Sequence, residues 1–279
     1  MKINFKGECL SGNYSAVQLA PSDRFALFIH EDSRRPVNIR LGIDNINVHN
    51  HAYPHPSPHQ RGAGKRRGCF VSLGREPKVD VVEHLFSALY GLDIFNIKID
   101  LFGDEIPFFD GSSQTFVQSL EKFRGQSPSE SIRLNREVRV ENESSFIVYE
   151  PLHEEKFVIE MELSHPFIPP QKIALEINHE NYIKEIAPAR TFVFTDEDDP
   201  RLENLPPYGI GITKTNIYSA EPLRFSDELV RHKILDLLGD LFVLRKKISG
   251  KIVAKNTSHL LNFEFVTQYL TNSEKHITS

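Results

Sequence analysis

The sequence predicts an α+β protein built as two similar halves, and three observations carry that reading. The chain has 279 residues, more than one hydrophobic core usually spans. Its apolar pattern runs twice through one succession: short alternating strands, then a helix, a strand and a helix. Between the two runs, Gly125–Asn135 is polar and has no apolar period. The expected domains are therefore residues 1–126 and 127–279. The halves differ too much in wording to be read as a sequence repeat.

Each element follows from its local pattern. Met1–Phe5, Ala16–Leu19, Arg24–His30 and Val37–Leu41 place apolar residues near alternate positions, as strands do. His49–Gly68 is rich in Pro, Gly and His and reads as a loop. Over Asp80–Gly91 the period changes, and Val81, Val82, Leu85, Phe86, Ala88 and Leu89 line a helix that stops at a glycine. Ile97–Leu101 is a strand, and Asp110-Gly111-Ser112-Ser113 is a turn able to cap a helix through Phe116, Val117 and Leu120. The second half has strands at Val138–Asn142, Ser145–Tyr149, Phe157–Leu163 and Lys172–Ile177. A turn-rich region, Asp196–Glu221, precedes a helix over Asp227–Leu244, a strand at Lys251–Ala254 and a helix over Leu260–Leu270.

Composition removes several function classes. At 39% hydrophobic and 25% charged, the chain is that of an ordinary globular protein. A net charge of −5 argues against a general nucleic-acid binder. No apolar run approaches the roughly 18–20 residues of a membrane span. The start has no signal-peptide core. Two cysteines, Cys9 and Cys69, have no metal-type spacing, so a reducing cytoplasm is the expected location. Nothing resembles a dimerisation helix, and a monomer is expected.

Three segments carry chemistry: Val82-Glu83-His84-Leu85, Arg231-His232-Lys233-Ile234-Leu235-Asp236 with Gly239-Asp240, and Ser258-His259. His232 and Asp236 are four apart on a predicted helix, which puts an imidazole and a carboxylate on one face. Zinc accepts both, and a catalytic site needs three protein ligands with one position open; His84 can be the third. Glu83 then stands ready to take a proton from water, and His259 can protonate a leaving amine, oriented by a carboxylate such as Asp240. Lys233 can hold an anion or neutralise an oxyanion. Such a His–Asp pair also occurs on ordinary solvated helices, so residue types alone leave both readings open.

The wording of these segments resembles the UDP-3-O-acyl-N-acetylglucosamine deacetylases, which act in lipid A synthesis. The match is carried by Val82–Leu85 with Ala88-Leu89-Tyr90-Gly91-Leu92, by Glu105-Ile106-Pro107 with Asp110-Gly111-Ser112, and by Ala189-Arg190-Thr191-Phe192. Its longest stretch is Leu223–Asp236, running on to Gly239-Asp240-Leu241. The resemblance implies two α/β-sandwich domains with zinc between them, held by His84, His232 and Asp236. It implies Glu83 as general base and His259 as general acid or electrostatic stabiliser, backed by Asp240. Thr191 would steady an oxyanion, and Lys233 and Phe192 would contact a nucleotide-sugar substrate bearing a fatty acyl chain.

The sequence departs from the family at three places. A Gly-Leu-His-Ser-Gly phrase is represented by Gly7-Glu8-Cys9-Leu10-Ser11-Gly12, without the histidine. A Lys-Ser-Gly phrase before the last histidine reads Asn256-Thr257-Ser258, and Cβ at the glycine position would disturb the backbone if a positive φ were needed. In residues 193–222, where the family houses the acyl chain, Asp196–Asp199 is acidic and Gly209-Ile210-Gly211-Ile212 replaces a Gly-Gly-Ser phrase. Ile210, Ile212, Ile217 and Tyr218 line a groove or, on the preferred reading, form a strand on the core. Two alternatives stay open: a paralogue acting on another acylamino sugar, and a non-catalytic relative that binds an acyl-sugar or a protein. The cluster His49, His51, His55 and His59 and the run Lys65-Arg66-Arg67 read as loop, and Cys69 as a small buried hydrophobe.

Overall fold

The computed structural model of the chain describes residues 2–30, 35–53, 66–123, 131–199, 202, 205 and 208–274. The first half forms β1 (Ile3–Glu8), β2 (Tyr14–Pro21), β3 (Ala26–His30), β4 (Val37–Ile39), β5 (Ile46–Tyr53), β6 (Arg66–Gly74) and β7 (Lys78–Asp80). These are followed by α1 (Glu83–Gly91), β8 (Ile97–Phe102) and α2 (Gln114–Leu120). The second half forms β9 (Ser131–Ile132), β10 (Val138–Glu141), β11 (Phe146–Glu150), β12 (Phe157–His165) and β13 (Ile168–Glu176). The short α3 (His179–Asn181) runs into a π-turn at Tyr182–Ile186, then β14 (Phe192–Phe194), β15 (Ile210–Ile212) and β16 (Ile217–Tyr218). The chain continues through α4 (Glu228–Leu241), β17 (Lys247–Ile248), β18 (Gly250–Lys255) and α5 (His259–Glu274).

One plan governs both large sheets. Their strand orders are β1-β2-β8-β3-β4 and β10-β11-β18-β12-β13. In each, a strand that follows the long helix, β8 or β18, enters the middle, antiparallel to the second strand and parallel to the third. Each half also inserts a three-stranded sheet between its fourth strand and its long helix, β5-β6-β7 in one and β14-β15-β16 in the other. The α+β class and the similar build are thus borne out in topology. The expected boundary falls within 124–130, outside the described residues.

Alternation explains the sheets. Ile3 and Phe5, then Val17 and Leu19, then Ile97, Ile99 and Leu101 point inward, as do Phe157, Ile159, Met161 and Leu163 in the second half. The buried apolar residues of both halves join in one core, and α1 packs directly on α4. Gly239 permits that approach: a Cβ there would stand 2.3 Å from the Glu83 carbonyl oxygen. Through this contact α1 and α4 carry the two halves' polar groups to one place.

Two expectations are corrected. His49–Gly68 is not all loop, because His49, Asn50 and His51 of β5 pair with Phe70, Cys69 and Gly68 of β6. A hairpin held by backbone hydrogen bonds needs no apolar alternation, so polar residues hid it. The His49 ring stacks on Phe70 at 4.6 Å; His55, His59 and Lys65 lie outside the described residues, and Arg66 and Arg67 open β6. The first long helix starts at Glu83, not Asp80, because Asp80 ends β7 and exchanges backbone bonds with Asp104 and Ile106. As preferred, Ile210 and Ile212 are buried in a strand, while Ile217 is exposed.

Candidate metal centre and catalytic groups

His84 stands in the first turn of α1, and His232 and Asp236 stand one turn apart on α4. All three are buried, and a potential ligand atom from each lies within 4.8 Å of the others. His232 Nδ1 is 3.0 Å from the Ala189 carbonyl oxygen. A carbonyl only accepts, so Nδ1 carries a proton, and Nε2 is the nitrogen that faces the cluster, 3.2 Å from Asp236 Oδ1. The two imidazoles meet edge to face with centroids 5.2 Å apart. Burial, reinforced by His232, drives the His84 pKa down to about 3, so that ring is neutral. His84 Nδ1 is buried with no hydrogen-bond partner among the described residues, a need that a metal ion meets. Burial alone would raise the Asp236 carboxyl, but His232 and Lys233 hold it well below the usual range. Two imidazoles and a carboxylate fit a divalent metal such as zinc, with ferrous iron and cobalt also accepted by that donor set.

The neighbouring acid–base groups sit around this cluster. Glu83 is buried beside His84, and its Oε2 accepts the Val71 N–H from β6 at 3.2 Å. Burial pushes its carboxyl up to about 8, moderated by His259. His259 opens α5, and its Nδ1 lies 2.7 Å from Asp240 Oδ2. Burial would depress this histidine, but Asp240 outweighs it and lifts the pKa to about 9. Glu83, Asp236 and His259 feel one another electrostatically, which puts the three groups in one neighbourhood. The turn into α1 is itself strained, since the β-branched Val81 adopts φ 60°.

Of the remaining expected groups, Lys233 and Phe192 border the same place. Lys233 Nζ is 3.0 Å from Asp236 Oδ2 and 5.4 Å from the centre of the Phe192 ring, whose centroid is 6.1 Å from that of His232. Thr191 follows the Ala189–Arg190 pair, its N–H bonded to the Gly111 carbonyl and its carbonyl to the Ile210 N–H. Cys69 is exposed on β6 and feels the charges of Lys233, Asp236 and Glu83, which corrects the buried-hydrophobe reading. β6 is the middle strand of its sheet and buries Phe70, Val71, Ser72 and Leu73, so the exposure belongs to the Cys69 position and not to the strand.

The departures from the family wording are also located. Leu10 packs with Phe70, Val81, Phe108 and Tyr208, and Phe108 lies 5.4 Å from the His84 ring, so an apolar side chain stands where the phrase has histidine. Ser258 is not among the positive-φ residues, so the lost glycine distorts nothing. Asn256 does adopt φ 47°, a conformation asparagine tolerates, and its Oδ1 accepts the Ser164 N–H at 2.7 Å.

A protein-family model described as UDP-3-O-acyl N-acetylglycosamine deacetylase matches residues 36–271. The chain belongs to this family. Among curated proteins named UDP-3-O-acyl-N-acetylglucosamine deacetylase, that of Campylobacter hominis is 36% identical over 207 residues, 71% of this chain and 70% of the relative. That of Geotalea uraniireducens is 31% identical over 285 aligned residues, 98% of this chain and 87% of the relative. One from Coxiella burnetii is 33% identical over 207 residues, 69% and 67% of the two chains. The family match reaches well in front of the motif-bearing stretch 80–270.

Sequence reasoning missed the groups that orient the site. Arg190 and Glu228 were visible in the motifs but had no role. In the fold Glu228 accepts Arg190 Nε at 2.8 Å and Nη2 at 3.0 Å, and also the Arg224 N–H at 2.7 Å. The Ala189 carbonyl and the Val71 N–H are backbone groups and leave no residue-type signal.

Proposed function

We propose that this member of the family hydrolyses the N-acetyl group of UDP-3-O-acyl-N-acetylglucosamine, the committed step of lipid A biosynthesis, with zinc held by His84, His232 and Asp236. The observation that carries the proposal is the convergence of those three ligand atoms within 4.8 Å, in a family chain that keeps an acid and a base beside them. When bound there, zinc supplies Lewis acidity that polarises an amide carbonyl and lowers the pKa of water. Glu83, held by the Val71 N–H, removes a proton from the attacking water. His259, charged and oriented by Asp240, delivers a proton to the amine nitrogen as the C–N bond breaks. Acetate and a free amino sugar leave. Thr191 steadies the oxyanion, Lys233 contacts the substrate and neutralises negative charge on that oxygen, and Phe192, under the Lys233 ammonium, packs against the substrate.

A second reading, a paralogue acting on another acylamino sugar, draws on Leu10 and Asn256. These leave an apolar contact and a neutral, backbone-bound amide where the family phrases carry histidine and lysine. In either case no helix among the described residues is long and apolar enough to cross a membrane.

The test is deacetylation of UDP-3-O-acyl-N-acetylglucosamine by zinc-loaded protein, with Glu83→Ala as control. Turnover that disappears in the variant supports reaction, base and substrate together. Zinc binding without turnover transfers the proposal to the second reading, and no zinc binding refutes both.

A further inference from the structure

The His259–Asp240 pair has a third member. Asn262 lies one turn along α5 from His259 and is fully buried. Its Nδ2 donates to Asp240 Oδ2 at 2.7 Å, the same oxygen that receives His259 Nδ1 at 2.7 Å. An ionised carboxylate offers only acceptors, so the amide must turn its NH₂ toward Asp240. The first turn of α5 is fixed by the Asn262 N–H bonded to the Ser258 carbonyl at 2.8 Å. At this spacing of three residues, both side chains stand on one helical face and straddle one carboxylate oxygen.

The other ends of these groups show what that arrangement is for. Asn262 Oδ1 is buried with no partner among the described residues. A buried acceptor left unpaired is destabilising, and leucine, similar in size, would fill the space without that penalty. Bulk therefore does not explain the asparagine; its donor does. Asp240 Oδ1 is likewise buried without a partner among the described residues, so among them the two donors on Oδ2 set the rotation of the carboxylate.

We infer that Asn262 is a positioning residue for the proposed general acid, fixing the Asp240 carboxylate in the orientation that aims the His259 imidazole at the site. It touches neither substrate nor reacting atoms and acts through Asp240. The inference rests on the reading of His259 as proton donor given above.

Steady-state kinetics of Asn262→Leu, with and without Asp240→Ala, tests it. Asn262→Leu should lower kcat about ten- to a hundred-fold, the range for lost outer-shell partners, with KM and zinc content unchanged. In the Asp240→Ala background the same substitution should cost nothing more, because its only route of action is gone. Unchanged kcat in Asn262→Leu, or an equal loss in both backgrounds, overturns the inference while wild-type turnover keeps the deacetylase reading. No turnover by the wild type refutes that reading and this inference with it. Should Asn262→Leu fail to fold, Asn262→Ser is compared with Asn262→Ala. Recovery of kcat by the hydroxyl donor supports positioning, and equal kcat contradicts it.

Discussion

In the first half, insert strand β6 turns the Val71 N–H onto the Glu83 carboxylate; in the second, the segment entering β14 turns the Ala189 carbonyl onto the His232 ring. The strand orders are the same and the long helices meet back to back, yet the halves orient their side chains with opposite backbone groups. A donor holds a carboxylate, and an acceptor fixes which imidazole nitrogen faces the cluster. The helices are also secured differently. Every residue of α1 is buried, and close packing at Gly239 and the Ser113 hydroxyl on the His84 carbonyl hold it. The start of α4 is held by charge, with Glu228 gripping Arg190 and Arg224, and Arg224 reaching Asp110 of the first half at 2.8 Å. Duplicated topology thus sets where the groups meet, and local polar partners set what each does.

Breaking the charge-held side should cost most. Glu228→Ala leaves Arg190 buried without its carboxylate and should destabilise the protein by about 3–5 kcal/mol in urea denaturation. A loss below about 1 kcal/mol would show that charge does not secure α4. The packed side should follow. Gly239→Ala drives a methyl toward the Glu83 carbonyl and should cost about 1–3 kcal/mol, with activity falling as α1 and α4 separate. Unaltered melting and activity would mean that the helices can yield there.

Acid should separate the halves further. Burial would raise the carboxyls of Glu228 and Asp110, but hydrogen bonds from Arg190 to the first, and from Ser112 and Arg224 to the second, leave both lowered. A lowered folded pKa gives stability that is complete above the unfolded value and lost as pH falls through the folded one. Melting temperature should therefore drop below about pH 4.5 in the wild type, with a shallower slope in Glu228→Gln. Equal slopes would remove Glu228 from the account. The smallest effect belongs to Ser113→Ala, which frees the His84 carbonyl from one hydrogen bond and should cost about 0.5–1.5 kcal/mol by thermal melting.

The residues proposed to do chemistry were legible in the sequence because helical spacing brings His232 and Asp236 onto one face without help from the rest of the chain. His84 and His259 were legible through the wording around them. Pairing of the halves followed from the repeated strand–helix succession. What escaped was set by backbone and by distant partners: the β5–β6 hairpin, polar and held by its ladder, and the Val71 and Ala189 groups, which any residue type can present. Asn262 could have been found, since three residues after a candidate acid on one helix is contact distance. Cys69 was misread because a lone cysteine gives no sign of whether its own position on a strand is covered.

The claim at the centre is that one metal is shared by α1 and α4, and metal stoichiometry with cobalt absorption tests it most directly. The wild type should bind one cobalt per chain with the visible bands of a tetrahedral site, and His84→Ala and His232→Ala should each weaken binding and change those bands. Full affinity with unchanged bands in His84→Ala would place the metal on the second half alone and contradict the account.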